Sequence, residues 1–213
     1  MKKIFRGSPV SRAPFAPEFL IVHAWHDNQI SRSPMLDAVR RAAGAPTGGI
    51  NSHLISLSCG GPFRGSPEMK LAVERTGLAS RVEVLPRVAY EESLTALMRT
   101  GVLLLLQGWQ DTVDLVSTEL FECLRVGRPV LAVVPDGATA EVLRDTGGGW
   151  VVDPTDADGL RDTIVRAYRA WTSHRLDSMK ADPTALERFS RERLAGDLAR
   201  HFNALVEGSP PPA

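Results

Sequence analysis

The sequence predicts an α/β domain: a parallel sheet of about six strands with helices on both faces, followed by a C-terminal helix. Three observations lead there. Short apolar runs alternate six times with segments of helical periodicity along the 213 residues. The first, fourth and fifth of these runs are continuously apolar, as strands covered on both faces are. The connections are short and rich in Gly and Pro, which suits strand–helix repeats and a parallel sheet. No solenoid-type repeat is present, and one domain over residues 18–206 suffices, with a tail or linker over 1–17 and a disordered tail over 207–213.

The first strand is FLIVHA (19–24). After a polar loop, Pro34 opens a helix, MLDAVRRAAG, that Gly44 stops. A Gly/Pro loop leads to HLISLSC (53–59), and another to the helix PEMKLAVERTG, which ends at Gly77. RVEVLP (81–86) is the third strand and YEESLTALMRTG (90–101) the third helix. The fourth strand, Val102 to Leu106, is followed by a polar loop, the helix STELFECLRVG and a fifth strand from Pro129 to Val134. TAEVLRDTG (139–147) is helical, and one of Gly147 to Gly149 is expected to take the left-handed cap that other residues resist. WVVDP (150–154) is the sixth strand and DADGLRDTIVRAYRAW (156–171) a long amphipathic helix. Residues 182–206 read as helical throughout, with Leu186, Phe189, Leu194, Leu198, Phe202 and Leu205 near helical spacing.

Composition narrows the function classes. Lys+Arg and Asp+Glu are equal at 25 each, and no basic block is present, so nothing points to nucleic acid. No run approaches the roughly 20 apolar residues of a membrane span. The N-terminus has Arg6, Arg12 and prolines where a signal peptide needs its apolar core. Cys59 and Cys123 form no spaced metal pattern and read as reduced and buried, so the cytoplasm is the expected compartment.

Two acids stand out, Asp114 in the loop after the fourth strand and Glu122 on the following helix, with seven residues between them. That places both at the carboxyl end of a parallel sheet, where open α/β folds bind ligands. A helix starting near Ser117 or Thr118 presents unpaired N–H groups and a partial positive charge, which suit a diphosphate, and the two hydroxyls add donors. Glu122 is then placed to accept the two hydroxyls of a ribose diol, and Asp114 to reach sugar hydroxyls. A plainer reading also fits: Thr118 caps the helix, and the acids favour its positive end.

Other motifs carry less. His23 and His26 have metal-compatible spacing, but no Cys or acidic cluster lies nearby in sequence, and a locally satisfied histidine explains each. GGPFRGSPE lacks the Gly-Lys-Ser/Thr ending of a phosphate-binding P-loop. The first strand is not followed by Gly-x-Gly-x-x-Gly, which argues against a dinucleotide site. It also ends in His23-Ala24-Trp25, without the acidic cluster of a response regulator.

The block DLVSTELFECLRVGRPVLAVVPDGATAEVLRDTGGGWVVDP, from Asp114 to Pro154, resembles the donor-binding half of retaining GT-B glycosyltransferases. These form the glycogen-synthase-like group (glycosyl transferases group 1) that uses nucleotide-diphospho-sugars. The family pattern is an acid, seven residues and Glu, then a Gly-Arg-Pro turn, an apolar strand, a Gly-rich turn and a strand ending in Asp-Pro. Phe121-Glu122, Gly127-Arg128-Pro129 and Val152-Asp153-Pro154 match it. The resemblance is specific over 102–154 and weaker over the rest of 19–206.

The resemblance implies a Rossmann-like half of a GT-B fold. It makes Glu122 the ribose ligand and Asp114 the donor-sugar ligand, where relatives usually carry Glu. It assigns the diphosphate to the helix start with Ser117 and Thr118, and to a basic residue after the first strand, for which Arg32 is the best candidate and Arg64 a weaker one. The base is expected against Leu85, Pro86 and Arg87, of which Arg87 alone offers a stacking side chain. Glu119 departs from the pattern, because relatives carry Lys or a neutral residue there and a carboxylate repels a diphosphate. No metal and no cofactor are implied beyond the donor substrate, and the catalytic residue is not assigned. A complete enzyme has two such domains, roughly 350 to 450 residues. A separately encoded N-terminal acceptor-binding chain is therefore the expected partner. The alternatives are a catalytically inactive remnant and a non-catalytic binding or regulatory module.

Overall fold

The computed structural model describes residues 20–24, 35–43, 55–59, 67–77, 82–85, 90–107 and 113–208. The expected tail over 1–17, the segments carrying His26, Arg32, Arg64 and Arg87, and the segment beyond 208 lie outside these residues. In chain order the elements are β1 (Leu20–Ala24), α1 (Met35–Ala43), β2 (Ile55–Cys59), α2 (Pro67–Arg75), β3 (Val82–Leu85), α3 (Tyr90–Arg99) and β4 (Val102–Leu106). They continue with α4 (Thr118–Val126), β5 (Val130–Val133), α5 (Ala138–Thr146), β6 (Gly149–Val152) and α6 (Ala157–Thr172). A 3₁₀ turn (Leu176–Met179), α7 (Pro183–Glu187) and α8 (Arg191–Val206) complete the chain.

All pairings are parallel, in the order β3-β2-β1-β4-β5-β6. The order reverses between β1 and β4, which sets Leu20 beside Val102. Such a switch point opens a crevice at the carboxyl ends of the strands.

Period two sorts β4 between two cores. Val102, Leu104 and Leu106 face a cluster with Ala38 and Val39 of α1, Val73 of α2, and Leu160 and Ile164 of α6. Leu103 and Leu105 face the other side, with Leu97 of α3, Leu120 and Leu124 of α4, and Leu143 of α5. Leu103 and Leu104 are wholly buried, and each contributes about 1.5–3 kcal/mol by leaving water. Helices therefore cover both faces, and β4 is hydrophobic throughout because neither side of it meets solvent. Trp150 and Trp171 pack against the first of these clusters.

Gly147 is the residue that takes the left-handed conformation after α5, with φ 65°, and its N–H closes back on Arg144 O. The Gly127-Arg128-Pro129 turn is structural. Arg128 donates from Nε and Nη2 to Met98 O at 3.1 and 2.5 Å, and Pro129 O accepts from Leu103 N at 2.9 Å. This ties the end of α3 to the amino edge of the sheet, opposite the crevice.

The expectation of one continuous helix over 182–206 is corrected. The chain breaks after Glu187 and restarts at Arg191. Asp182 accepts from Thr184 N to start α7, and Ser190 accepts from Arg193 N to start α8. Each side-chain cap satisfies an N–H that a helix start leaves open, so Ser190 starts a second, separate helix. The apolar stripe divides accordingly. Leu186 and Phe189 are half-buried against the α4–α5 side of the core, whereas Leu194, Leu198, Phe202 and Leu205 are exposed.

Candidate functional site

The residues after β4 build the site. Gln107, still buried, continues the strand by donating its N–H to Val133 O at 3.0 Å. Its side-chain amide donates to Leu115 O at 3.2 Å. The chain turns at Val113–Asp114 and enters α4 at Ser117.

Three contacts from α5 hold this turn. Ala138 N donates to Val113 O at 2.8 Å. The buried Thr139 hydroxyl donates to Leu115 O at 2.8 Å and accepts from Ser117 N at 3.2 Å. Gly137 lets the two segments close: a Cβ built there would lie 2.3 Å from Val113 O. The start of α5 is thus a clamp on the loop that carries Asp114.

Within that frame Asp114 is exposed and Glu122, the fifth residue of α4, is half-buried. Neither carboxylate makes a hydrogen bond or an ion pair among the described residues. Two turns of the chain thus present acids without a partner among the described residues on either side of the α4 start, beside β4 at the switch point. Uncommitted carboxylates accept hydroxyl hydrogen bonds, including paired ones.

The α4 start differs from a plain cap. Ser117 is the N-cap, with φ −64° and ψ 128°, but its side chain makes no capping hydrogen bond. Thr118 is the first helical residue. The Ser117 hydroxyl donates instead to Glu119 Oε2, and the Thr118 hydroxyl lies 3.3 Å from the same oxygen. Both candidate phosphate donors are thus turned to one carboxylate. Glu119 is half-buried and sits in the first turn, where the helix dipole favours negative charge. The reading of Thr118 as the cap gives way to Ser117, because extended backbone belongs to residue 117.

Beneath this surface lies Cys123, a free and buried thiol. Burial, and then the negative charges of Glu122 and Glu119, push its pKa up to about 12. At the end of β6, Asp153 is exposed and accepts from Thr155 N and its hydroxyl at 2.7 and 2.5 Å. Those bonds hold its pKa below the usual carboxylate value. It serves as a turn former ahead of α6, two strands away from the switch point.

The structure therefore brings together Asp114, Ser117, Thr118, Glu119 and Glu122. Arg32 and Arg87 fall outside the described residues, in the segments of sequence that follow β1 and β3. The sequence reading missed Gln107 and Thr139 as residues that position the loop. The one cue for Thr139 was its place at a helix start after a Gly turn. Among the described residues no group of three or more His, Cys, Asp or Glu is arranged to hold a metal ion. No helix among them is long and apolar enough to cross a membrane.

No family model and no curated relative matches the chain. Solved structures do. Sucrose-phosphate synthase from Thermosynechococcus elongatus aligns with a TM-score of 0.62 at 17% identity, over 90% of this chain and 46% of that one. HepE from Anabaena, solved with UDP and glucose, aligns with a TM-score of 0.61 at 16% identity, over 86% of this chain and 48% of that one. A TarM variant from S. aureus, solved in complex with UDP among other ligands, aligns with a TM-score of 0.63 at 14% identity, over 89% and 36%. The chain thus spans about half or less of the solved chains it is similar to. At these identities the likeness is one of fold alone, corresponding to part of a GT-B fold.

Proposed function

We propose that this chain is the nucleotide-diphospho-sugar-binding half of a retaining glycosyltransferase, over residues 18–206. The observation that carries the reading is the pair of acids, Asp114 and Glu122, that have no partner among the described residues and flank the α4 start at the carboxyl end of β4. Glu122 accepts the ribose diol and Asp114 the sugar hydroxyls. The α4 start, with Ser117, Thr118 and Arg32, takes the diphosphate, and Arg87 stacks on the base. The UDP with which HepE and the TarM variant were solved supports a nucleotide-linked donor.

In a complete enzyme the sugar passes to an acceptor hydroxyl with its anomeric configuration kept. The leaving diphosphate is stabilised by the positive helix end and Arg32. The acceptor site belongs to a second α/β half, supplied by a separately encoded N-terminal chain. Without that half the crevice is open to water, which weakens every electrostatic contact in it, so the isolated chain binds donor weakly and transfers little.

A second reading, a catalytically inactive remnant or a non-catalytic binding or regulatory module, is favoured by one observation. Glu119 already engages both hydroxyls that a diphosphate would use. Titration calorimetry with UDP-, GDP-, dTDP- and ADP-glucose separates the two. Binding of one of them, lost in Glu122→Ala, supports the donor site. Absence of binding at millimolar concentration, or binding unchanged in Glu122→Ala, overturns it.

A further inference from the structure

Helix α4 begins on an anion of its own. Ser117 has the extended backbone of an N-cap, yet its hydroxyl donates to Glu119 Oε2 instead of capping, and the Thr118 hydroxyl lies 3.3 Å from the same oxygen. Glu119 is half-buried and forms no ion pair among the described residues. Part of the backbone is engaged as well. Ser117 N donates to the buried Thr139 hydroxyl at 3.2 Å, and Leu120 N to Ser117 O at 3.1 Å. The N–H groups of Thr118 and Glu119 are left without an acceptor among the described residues.

A carboxylate in that place opposes a diphosphate twice. It repels a like charge, and it accepts from the two hydroxyls that could otherwise donate to phosphate oxygens. One proton reverses both effects. The neutral acid carries no charge, holds the hydroxyls less firmly and adds an O–H donor of its own. Bound diphosphate and protonated Glu119 therefore favour one another, and that preference is reciprocal.

We infer that Glu119 is a proton-operated latch on the α4 start: ionised, it closes the start to a diphosphate, and the donor enters together with one proton from solvent. The latch rests on the nucleotide-sugar reading and adds its regulation. No bond of the donor changes in this step.

The neighbouring charges do not imitate it. Asp114 on the loop and Glu122 on α4 must be ionised to accept hydroxyl hydrogen bonds, so their protonation weakens donor binding. Burial holds the proton on the Cys123 thiol. On the elements packed beside α4 stand Glu91 of α3, Glu141 of α5, and Asp136 ahead of α5, the last already paired with Arg144 at 2.6 Å. None of these makes a hydrogen bond or ion pair with Glu119. A rise in affinity on acidification is thus particular to the latch.

Titration calorimetry with UDP-, GDP-, dTDP- and ADP-glucose in the presence of EDTA tests it between about pH 5.5 and 7.5, above the ordinary range of free carboxylates. The diphosphate of these donors keeps both charges throughout. Whichever donor binds should bind about fivefold more tightly at the lower pH, within the limit of about tenfold per pH unit that one proton sets. The heat of binding at the lower pH should also depend on the ionisation enthalpy of the buffer, as proton uptake requires. Glu119→Gln should bind at the upper pH at least as tightly as the wild type does at the lower. It should lose both the rise and the buffer dependence, with circular dichroism unchanged. Wild-type affinity independent of pH, a rise that persists in Glu119→Gln, or binding that appears only when magnesium replaces EDTA overturns the latch and leaves the donor reading standing. Absence of binding of all four donors to both proteins overturns the donor reading, and the latch with it.

Discussion

The Ser117 hydroxyl donates to the Glu119 carboxylate, so the first turn of α4 carries its own anion. A diphosphate arriving there meets a like charge and two hydroxyls already engaged. Glu119→Gln removes the charge while keeping the shape. It should tighten UDP binding by about tenfold, equivalent to about 1.4 kcal/mol, and the gain should shrink as salt rises. The same change costs about 0.3–1 kcal/mol of stability, because the carboxylate favours the positive helix end. Calorimetry at two ionic strengths checks the first point, and urea unfolding the second. Equal UDP affinity in both proteins would show that Glu119 does not oppose phosphate.

Thr139 is the lock of the Asp114 loop. Its hydroxyl serves Leu115 O and Ser117 N together and is buried. Thr139→Val keeps the volume and leaves those two backbone groups short of a partner, at a cost of about 1–3 kcal/mol. Thr139→Ser keeps the hydroxyl and should retain most of the stability. Hydrogen exchange at residues 113–117 should quicken in the valine variant and stay near wild type in the serine variant.

Gly137 acts through close approach. A methyl group there would meet Val113 O at 2.3 Å and Val113 Cγ1 at 2.6 Å. Gly137→Ala must therefore push the loop off α5 and break the Ala138–Val113 hydrogen bond. The expected destabilisation is about 1–3 kcal/mol, in the range for overpacked sites. It should be accompanied by faster proteolysis near Asp114. An unchanged melting temperature would mean that the loop yields without strain.

The strands that set the fold were legible because burial on two faces writes itself as an uninterrupted run, as in Val102–Leu106. The left-handed stop at Gly147 was legible because few other residues accept that conformation. The break at Arg188–Ser190 was not. Leu186 and Leu194, eight residues apart, keep helical spacing across it, so spacing alone joins two helices that bury against different surroundings. The acids of the site could be read from their place after β4. Their surroundings could not, since the clamp from Thr139 spans 24 residues to Leu115 and exists only once β5 has been laid beside β4.

Phe121 and Phe189 meet at 5.1 Å between ring centroids, tilted by 51°. Arg188 lies 4.6 Å above the Phe189 ring and reaches Asp145 on α5 at 2.6 Å. This corner docks α7 onto α4 and α5. In a double-mutant cycle with Phe121→Leu and Phe189→Leu, the coupling should be about 0.5–1.5 kcal/mol. Each single change should melt α7 earlier than the sheet. Additive effects would show that the rings are neighbours without mutual stabilisation.

Cys123 supplies a pH signature. Its thiol pKa is pushed up to about 12 in the folded chain, chiefly by burial and further by Glu122 and Glu119. The unfolded thiol ionises near its ordinary value of about 8.5. Below that pH both states hold the proton, and the contribution to stability is fully present. Above it only the unfolded state releases the proton, so stability falls as pH rises towards 12, by up to about 1.4 kcal/mol per pH unit. Urea unfolding between pH 8 and 10 in a Cys59→Ser background should show this decline, and Cys123→Ala should flatten it. In the same background a thiol reagent at pH 8 should label Cys123 only after denaturant is added. Rapid labelling of the native chain would place the thiol in solvent and remove the basis for the pH effect.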